Sequence, residues 1–175
     1  GGISQRSSVI ETPIENDRKL MEIDYFSPVI LTKAILPHMV TQKSGHIVVV
    51  SSISGCFGFP LRSAYCAAKH ALYGFYESLD IEMRKHGIAV TIVSPGRIQT
   101  NISFSALNKD GKAHGRMDEG QANGMPVETC VRKMLKGIRK KKHELLIGNK
   151  EVLMVHFYRK IPALFHAIAG KIKAT

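Results

Sequence analysis

With 175 residues, 44% of them hydrophobic and 22% charged, the chain is long enough for one domain with a core and too short for two, and its ordinary composition excludes disordered, collagen-like and fibrous classes. No stretch is apolar over the ~18 residues a membrane-spanning helix needs and no secretory signal is read at its start, so a soluble or at most membrane-attached protein is expected. The net charge of +11 is unevenly spread: residues 126–175 hold 12 Lys/Arg against 3 Asp/Glu and residues 1–125 hold 13 against 11, which makes the C-terminal third the part attracted to anions.

In chain order, Thr12-Pro13-Ile14-Glu15 reads as a helix start, with Thr12 as N-cap, Pro13 in the first helical position and Glu15 three residues after the cap. The helical pattern continues through Leu20, Ile23, Val29, Ile30, Ile35 and Met39, with a break expected at Pro28, and stops before Ser44-Gly45. His46 to Ser51 is a β-branched run without alternation, the pattern of a strand buried on both faces of a parallel sheet. A loop with Gly55, Gly58 and Pro60 leads to a second long helix from about Ser63, whose stripe Ala64, Ala68, Leu72, Phe75 and Leu79 ends at His86-Gly87. Ile88 to Val93 is the second strand, closed by Ser94-Pro95-Gly96, and the polar, poorly periodic residues 97–125 predict a long loop or lid. Pro126 opens a third helix to about Lys142, with Val127, Val131, Met134 and Ile138 on its apolar face, and Glu144 to Ile147 is a third strand. This alternation predicts an α/β fold with a parallel sheet between helices, and ligands beyond the carboxyl ends of its strands, at Ser51/Ser52 and Ser94-Pro95-Gly96.

Tyr65 and Lys69 are four residues apart on the second helix and therefore share a face. A phenol with a pKa near 10 needs about 4 kcal/mol of help to ionise near neutral pH. A cation ~4 Å away at an effective dielectric of ~20 supplies roughly that. Tyr-x-x-x-Lys arises by chance on many helices, but here Ser52 stands at the end of the preceding strand, 13 residues upstream of Tyr65. A loop of that length returns a hydroxyl and a phenol to one carbonyl oxygen, which makes a proton-donor site.

Ser51-Ser52, Tyr65-x-x-x-Lys69 and Ser94-Pro95-Gly96-Arg97-Ile98-Gln99-Thr100, in this order, resemble the short-chain dehydrogenase/reductase family, and Gly1-Gly2-Ile3 resembles the end of its Asn-Asn-Ala-Gly turn. The resemblance runs to about Ile147 and implies a Rossmann-like, doubly wound parallel sheet and an oxidoreductase that passes hydride between NAD or NADP and an alcohol/carbonyl substrate. It implies that Tyr65 is the general acid/base, that Lys69 lowers its pKa and holds the cofactor ribose, and that Ser52 binds the substrate oxygen. It further implies cofactor contacts at Gly2, Pro95, Gly96, Ile98 and Thr100, and a homodimer or homotetramer formed through the two long helices. The family's fourth catalytic residue, an Asn, falls at Asp24, where a carboxylate is expected to pair with Lys69 and alter the proton relay. The family's glycine-rich Thr-Gly-x-x-x-Gly-x-Gly phosphate turn is absent. The fold is therefore expected to be incomplete, its second half only, with an open edge and uncovered apolar faces on the first strand and impaired cofactor binding. Residues 1–149 are expected to be the partial Rossmann domain, with its substrate loop at about 97–125, and residues 150–175 a basic, apolar extension of it.

Residues 150–173 combine apolar side chains with Arg159-Lys160 and a helix-interrupting Pro162. Two arrangements remain open: docking over the substrate pocket or a partner subunit, or lying in a membrane interface with cations toward lipid phosphates, which would suit a hydrophobic substrate. The expected location is accordingly the cytoplasm or the cytoplasmic face of a membrane. Cys56, Cys66 and Cys130 are an odd count without C-x-x-C spacing, and the eight histidines lack metal spacing, which argues against disulfides and metal. The basic third lacks any nucleic-acid motif. A non-catalytic family member acting as a binding or structural subunit is the alternative reading.

Overall fold

The computed structural model describes residues 2–169. Gly1 of the expected turn, and residues 170–175 with Lys171 and Lys173 of the basic tail, lie outside the described residues. Three parallel strands, β1 (Gly45–Val50), β2 (Ile88–Pro95) and β3 (Glu144–Ile147), lie in the order β1-β2-β3, with Ile47 opposite Val90 and Val93 opposite Leu145. The helices α1 (Ile14–Met21) and α2 (Ser27–Gln42) precede the sheet. The first crossover is α3 (Ser63–Met83), and the second carries α4 (Glu119–Ala122) and α5 (Val127–Arg139). Two short helices, α6 (Val152–Lys160) and α7 (Pro162–Ala169), follow the last strand.

Helices α2 and α3 cover one face of the sheet, where Leu72, Tyr76 and Leu79 pack on Ile47, Val49, Val90 and Ile92. On the other face Cys130 of α5 packs on Val93, Leu145 and Ile147. Burial on both faces holds for β2 and fails for β1, whose Val48 and Val50 are 36% and 49% exposed, because α5 lies over β2 and β3. The buried side of α5 also differs from expectation. Cys130 and Gly137 face inward with Met134 and Ile138 beside them, while Val127 and Val131 are 39% and 44% exposed. A side chain at Gly137 would overlap Leu145, so the close approach that glycine permits fixes which face turns in. The helix also stops at Arg139 rather than Lys142.

Two further expectations change at α1 and α2. The first helix begins at Ile14 with Pro13 as its cap residue and no side-chain cap. The Thr12 hydroxyl instead donates to the Ser8 carbonyl at 2.6 Å. No break occurs at Pro28, the second residue of α2; the chain widens into a π turn over Glu22–Phe26 just before it. Pro28 cannot donate to the Asp24 carbonyl and its ring crowds that group, and a widened turn relieves both problems.

The N-terminal segment acts as a strap. Leu107 N–H donates to Ser4 O and Arg6 N–H to Leu107 O, both at 2.7 Å, which holds Gln5 fully buried. Arg62, the residue before α3, gives the helix no side-chain cap. Gln5 Oε1 supplies it from the strap, accepting from Ala64 N–H at 2.9 Å, while its Nε2 donates to Thr12 Oγ1 at 2.8 Å and Ser63 Oγ at 3.3 Å.

At the other end of the chain, Val155 and Phe165 of α6 and α7 bury Phe57 of the loop after β1, and Arg159 grips Glu144 of β3 at 2.6 and 2.8 Å. The described part of the extension therefore docks on the domain, with Leu153 and Leu164 exposed on its outer side. No helix among the described residues is long and apolar enough to cross a membrane. Gln5→Ala is expected to cost about 2–3 kcal/mol, through the lost cap and the stranded hydroxyls. A urea midpoint that falls with an unchanged slope checks this, and an unmoved midpoint would show that the cap is dispensable.

Candidate active site

The carboxyl ends of β1 and β2 and the start of α3 enclose a cavity of about 800 Å³. Ser52, Tyr65 and Lys69 all face it, and each is buried. Local packing explains the convergence. The turn Ile53–Gly55 follows Ser52, whose Oγ accepts from Ser54 N–H at 3.1 Å and donates to Pro95 O at 3.4 Å. A side chain at Gly55 would sit 2.7 Å from the Lys69 carbonyl, so only glycine lets the turn lie directly on α3. Ser51 Oγ donates to that same carbonyl at 3.0 Å and locks the contact.

The expected electrostatics hold only in part. The Lys69 ammonium stands 5.6 Å from the Tyr65 ring centroid. Burial pushes the Tyr65 phenol up to about 12, with the Ser52 hydroxyl and Arg62 pulling down and Asp24 pushing up. The lowering expected from Lys69 is therefore not the net result, because desolvation disfavours the phenolate more than the nearby cations favour it. Burial also lowers the Lys69 pKa, against the pull of Asp24. Its ammonium makes one long hydrogen bond, to Val50 O at 3.4 Å, so donors remain for a ligand.

Asp24 lies in the π turn, outside the cavity lining. The expected ion pair with Lys69 does not form among the described residues. Instead Asp24 Oδ1 accepts from Ile3 N–H at 3.0 Å while Oδ2 is buried without a partner among the described residues. Burial raises its pKa despite Lys69 and the Ile3 bond. Gly2 fills the gap between the two: a side chain there would lie 2.9 Å from Asp24 Oδ1 and 3.6 Å from Lys69 Nζ.

Gly2, Pro95, Gly96, Ile98 and Thr100 also line the cavity, but the chain's own groups already engage some of them. The Gln121 side-chain amide, on α4, donates to Ile98 O and, at 3.3 Å, to Thr100 Oγ1. The Glu151 carboxylate lies against Gly96 and accepts from Arg97 N–H at 3.0 Å and Asn149 N–H at 3.1 Å. Neither residue stands out in the sequence, since each acts through a fold-dependent contact. The Gln121 contact has chemical meaning: Ile98 O and Thr100 Oγ1 together accept a primary carboxamide, the group a nicotinamide ring presents, so the residues present fit that end of the cofactor.

The family model described as short chain dehydrogenase matches residues 1–110. Dehydrogenase/reductase SDR family member 7B of Mus musculus is 43% identical over 168 residues, 95% of this chain and 52% of that protein. A short chain dehydrogenase from Burkholderia cenocepacia J2315 in complex with NADP superposes with a TM-score of 0.80 at 22% identity, over 97% of this chain and 65% of that one, and shows the Rossmann-like fold. A 4-hydroxyisoleucine dehydrogenase mutant complexed with NADH and succinate is 32% identical with a TM-score of 0.57, over 59% of this chain and 43% of that one. The chain spans about half the length of the curated relatives it matches. Because the family model covers well over half of the 175 residues, through the strand that ends in Ser52 and the helix that carries Tyr65 and Lys69, the chain belongs to the short chain dehydrogenase family.

Proposed function

We propose that the protein passes hydride between NAD or NADP and an alcohol/carbonyl substrate, with Tyr65 as proton donor in reduction and acceptor in oxidation. One observation carries this reading: Ser52, Tyr65 and a buried Lys69 with donors to spare line a single cavity. The nicotinamide cofactor supplies the hydride chemistry when bound. Lys69 Nζ would hold its ribose hydroxyls, Gly2, Pro95 and Gly96 admit it closely, and Ile98 and Thr100 would take its carboxamide. Ser52 Oγ orients the substrate oxygen toward the phenol. Burial keeps Tyr65 protonated at neutral pH, which suits donation of a proton to a reduced carbonyl. The family neighbours include complexes with NADP and with NADH, which supports a nicotinamide cofactor and leaves the choice open. Ile30, Leu31 and Ile35, exposed on α2, support contact between copies through that helix.

The phosphate end of the cofactor is expected to lie beyond these residues. No Thr-Gly-x-x-x-Gly-x-Gly turn occurs in the sequence, and among the described residues β1 pairs on one side only, with β2, whereas a dinucleotide needs both halves of such a sheet. Titration of the 175-residue chain with NADH and NADPH is expected to show no saturation at micromolar concentrations. Micromolar binding would show that the phosphate turn is dispensable.

In the full-length protein, Tyr65→Phe is expected to lower carbonyl reduction by about 10²–10⁴-fold, the loss of a general acid. A panel of aldehydes and ketones checks it; turnover equal to wild type would remove the catalytic assignment and leave the binding or structural subunit. Asp24→Asn tests the buried carboxylate. Because the folded-state pKa of Asp24 is raised, its ionised form costs stability above that pKa, and the cost vanishes as pH falls below it. The variant, which keeps the acceptor for Ile3 N–H, should raise Tm at pH 7 by about 2–4 °C, the shift of roughly 1 kcal/mol at this size. The gain should fade toward pH 4, and a gain constant across pH would refute the account.

A further inference from the structure

The cavity wall beside Tyr65 carries more positive charge than its surroundings neutralise. Arg6, Arg62 and Asp118 meet there with side chains 4%, 12% and 5% exposed, and all three line the cavity. Arg6 is fully engaged: Nε and Nη2 donate to Asp118 Oδ2 at 2.9 and 2.5 Å, and Nη1 donates to Ser4 Oγ at 2.8 Å and Gln5 O at 2.6 Å. Arg62 is not. Its Nη2 shares the same Oδ2 at 3.1 Å, while its Nη1 is buried with no partner among the described residues, as is the other oxygen of the carboxylate, Asp118 Oδ1. The Phe59 ring, 5.0 Å from the guanidinium carbon, holds the plane of the group.

Two buried guanidinium groups thus share one carboxylate oxygen, and one of them keeps an edge free. His114 stands 3.8 Å from Asp118 Oδ1, but burial lowers its pKa, so it adds no charge at neutral pH. Arg97 also lines the cavity and adds a further cation; the cavity's other carboxylate, Glu151, is occupied with backbone N–H groups. A buried charged donor without a partner is costly, and a fixed guanidinium fork is the preferred receptor for an oxyanion. The burial and the neighbouring Arg6 hold the Arg62 pKa down at about 10, a group still charged at neutral pH and favoured by an added anion.

Arg62 is the residue before α3 and Tyr65 lies in the first turn of that helix; both line the cavity, and the Arg62 charge reaches the Tyr65 phenol, whose pKa it pulls down. The helix N-terminus adds positive potential at the same place. An oxyanion on Arg62 would therefore share the cavity with a carbonyl held by Tyr65. Phe57, Val131, Met134 and Met154 give the cavity an apolar side.

Resting on the reductase reading above, we propose that Arg62 is the substrate-anion receptor of this cavity, and that the substrate is a carbonyl compound with a carboxylate or phosphate monoester close to the reacting carbon and an apolar remainder.

The test uses the full-length protein saturated with cofactor and compares kcat/KM for 4-oxododecanoate with that for its methyl ester. Wild type is expected to favour the acid by at least about tenfold, Arg62→Gln to bring the ratio near one, and Arg62→Lys to keep part of it, since the charge survives without the fork. A wild-type ratio of one or below, or a ratio unchanged in Arg62→Gln, overturns the proposal while leaving the reductase reading intact. A second readout needs no turnover: inorganic phosphate and acetate, each at matched ionic strength, should raise the Tm of wild type and not that of Arg62→Gln, and whichever acts more strongly identifies the anion. Equal shifts in both proteins, or none in either, overturn the site. A shift that depends on Arg62 in a protein that reduces no carbonyl sustains the anion site and removes the reductase reading instead.

Discussion

The hydrogen bond between Gln5 Oε1 and Ala64 N–H fixes where α3 begins, and the chemistry of the cavity depends on that starting point. A helix leaves its first backbone N–H groups without internal partners, and buried ones must find them elsewhere. Ordinarily the residue before the helix supplies the acceptor. Here that residue is Arg62, whose side chain turns instead toward Asp118 and the cavity. The strap resolves the conflict by bringing a glutamine from 59 residues away. The cap position is thereby free to hold a cation, and Tyr65 is placed by a buried network rather than by a local turn.

Two groups of buried charge border the cavity, and both are incompletely paired. Asp24 has an unpartnered oxygen behind Lys69, and Arg62 has an unpartnered nitrogen beside Tyr65. Left alone, each lowers stability, since desolvating a charge costs more than a partial set of partners returns. Their position gives the cost a use. Both groups affect the phenol in opposite senses, Asp24 raising its pKa and Arg62 lowering it, so the proton affinity of Tyr65 responds to whatever ligand completes either set.

The parts of this site that lie within one element or at one strand end were legible in the sequence. Tyr65 and Lys69 declare themselves by helical spacing, Ser52 by closing a β-branched run, and Gly96 by following a proline at the end of the next. Burial that depends on a neighbour was not legible in the apolar runs themselves, and the uncovered face of β1 was expected only from the missing half of the fold. The β1 and β2 runs have similar composition, yet Val48 and Val50 are exposed while Thr91 and Val93, opposite them in register, are not, because the position of α5 decides the matter. The same limit applies to α5, where apolar spacing favoured Val127 and Val131 but the contact of Gly137 with Leu145 chose the other side. Gln5, Asp118, Gln121 and Glu151 left no mark, since their partners are distant in sequence and no periodicity encodes such pairs.

The internal partners of the expected cofactor contacts also determine where binding energy arises. Ile98 O and Thr100 Oγ1 already accept from Gln121, and Arg97 N–H beside Gly96 already donates to Glu151. A ligand that takes these positions exchanges one hydrogen bond for another and gains little net free energy there. Lys69 differs, because its ammonium is buried with a single long bond among the described residues, and each charge-assisted bond that a ribose hydroxyl would make to it would be added rather than exchanged. On the proposed reading, affinity would therefore be concentrated at Lys69 and at the unpartnered edge of Arg62, the two buried cations that line the cavity with Tyr65. The contacts proposed at Ile98, Thr100 and Gly96 would serve chiefly to fix orientation, since a ligand there would have to displace the Gln121 and Glu151 hydrogen bonds.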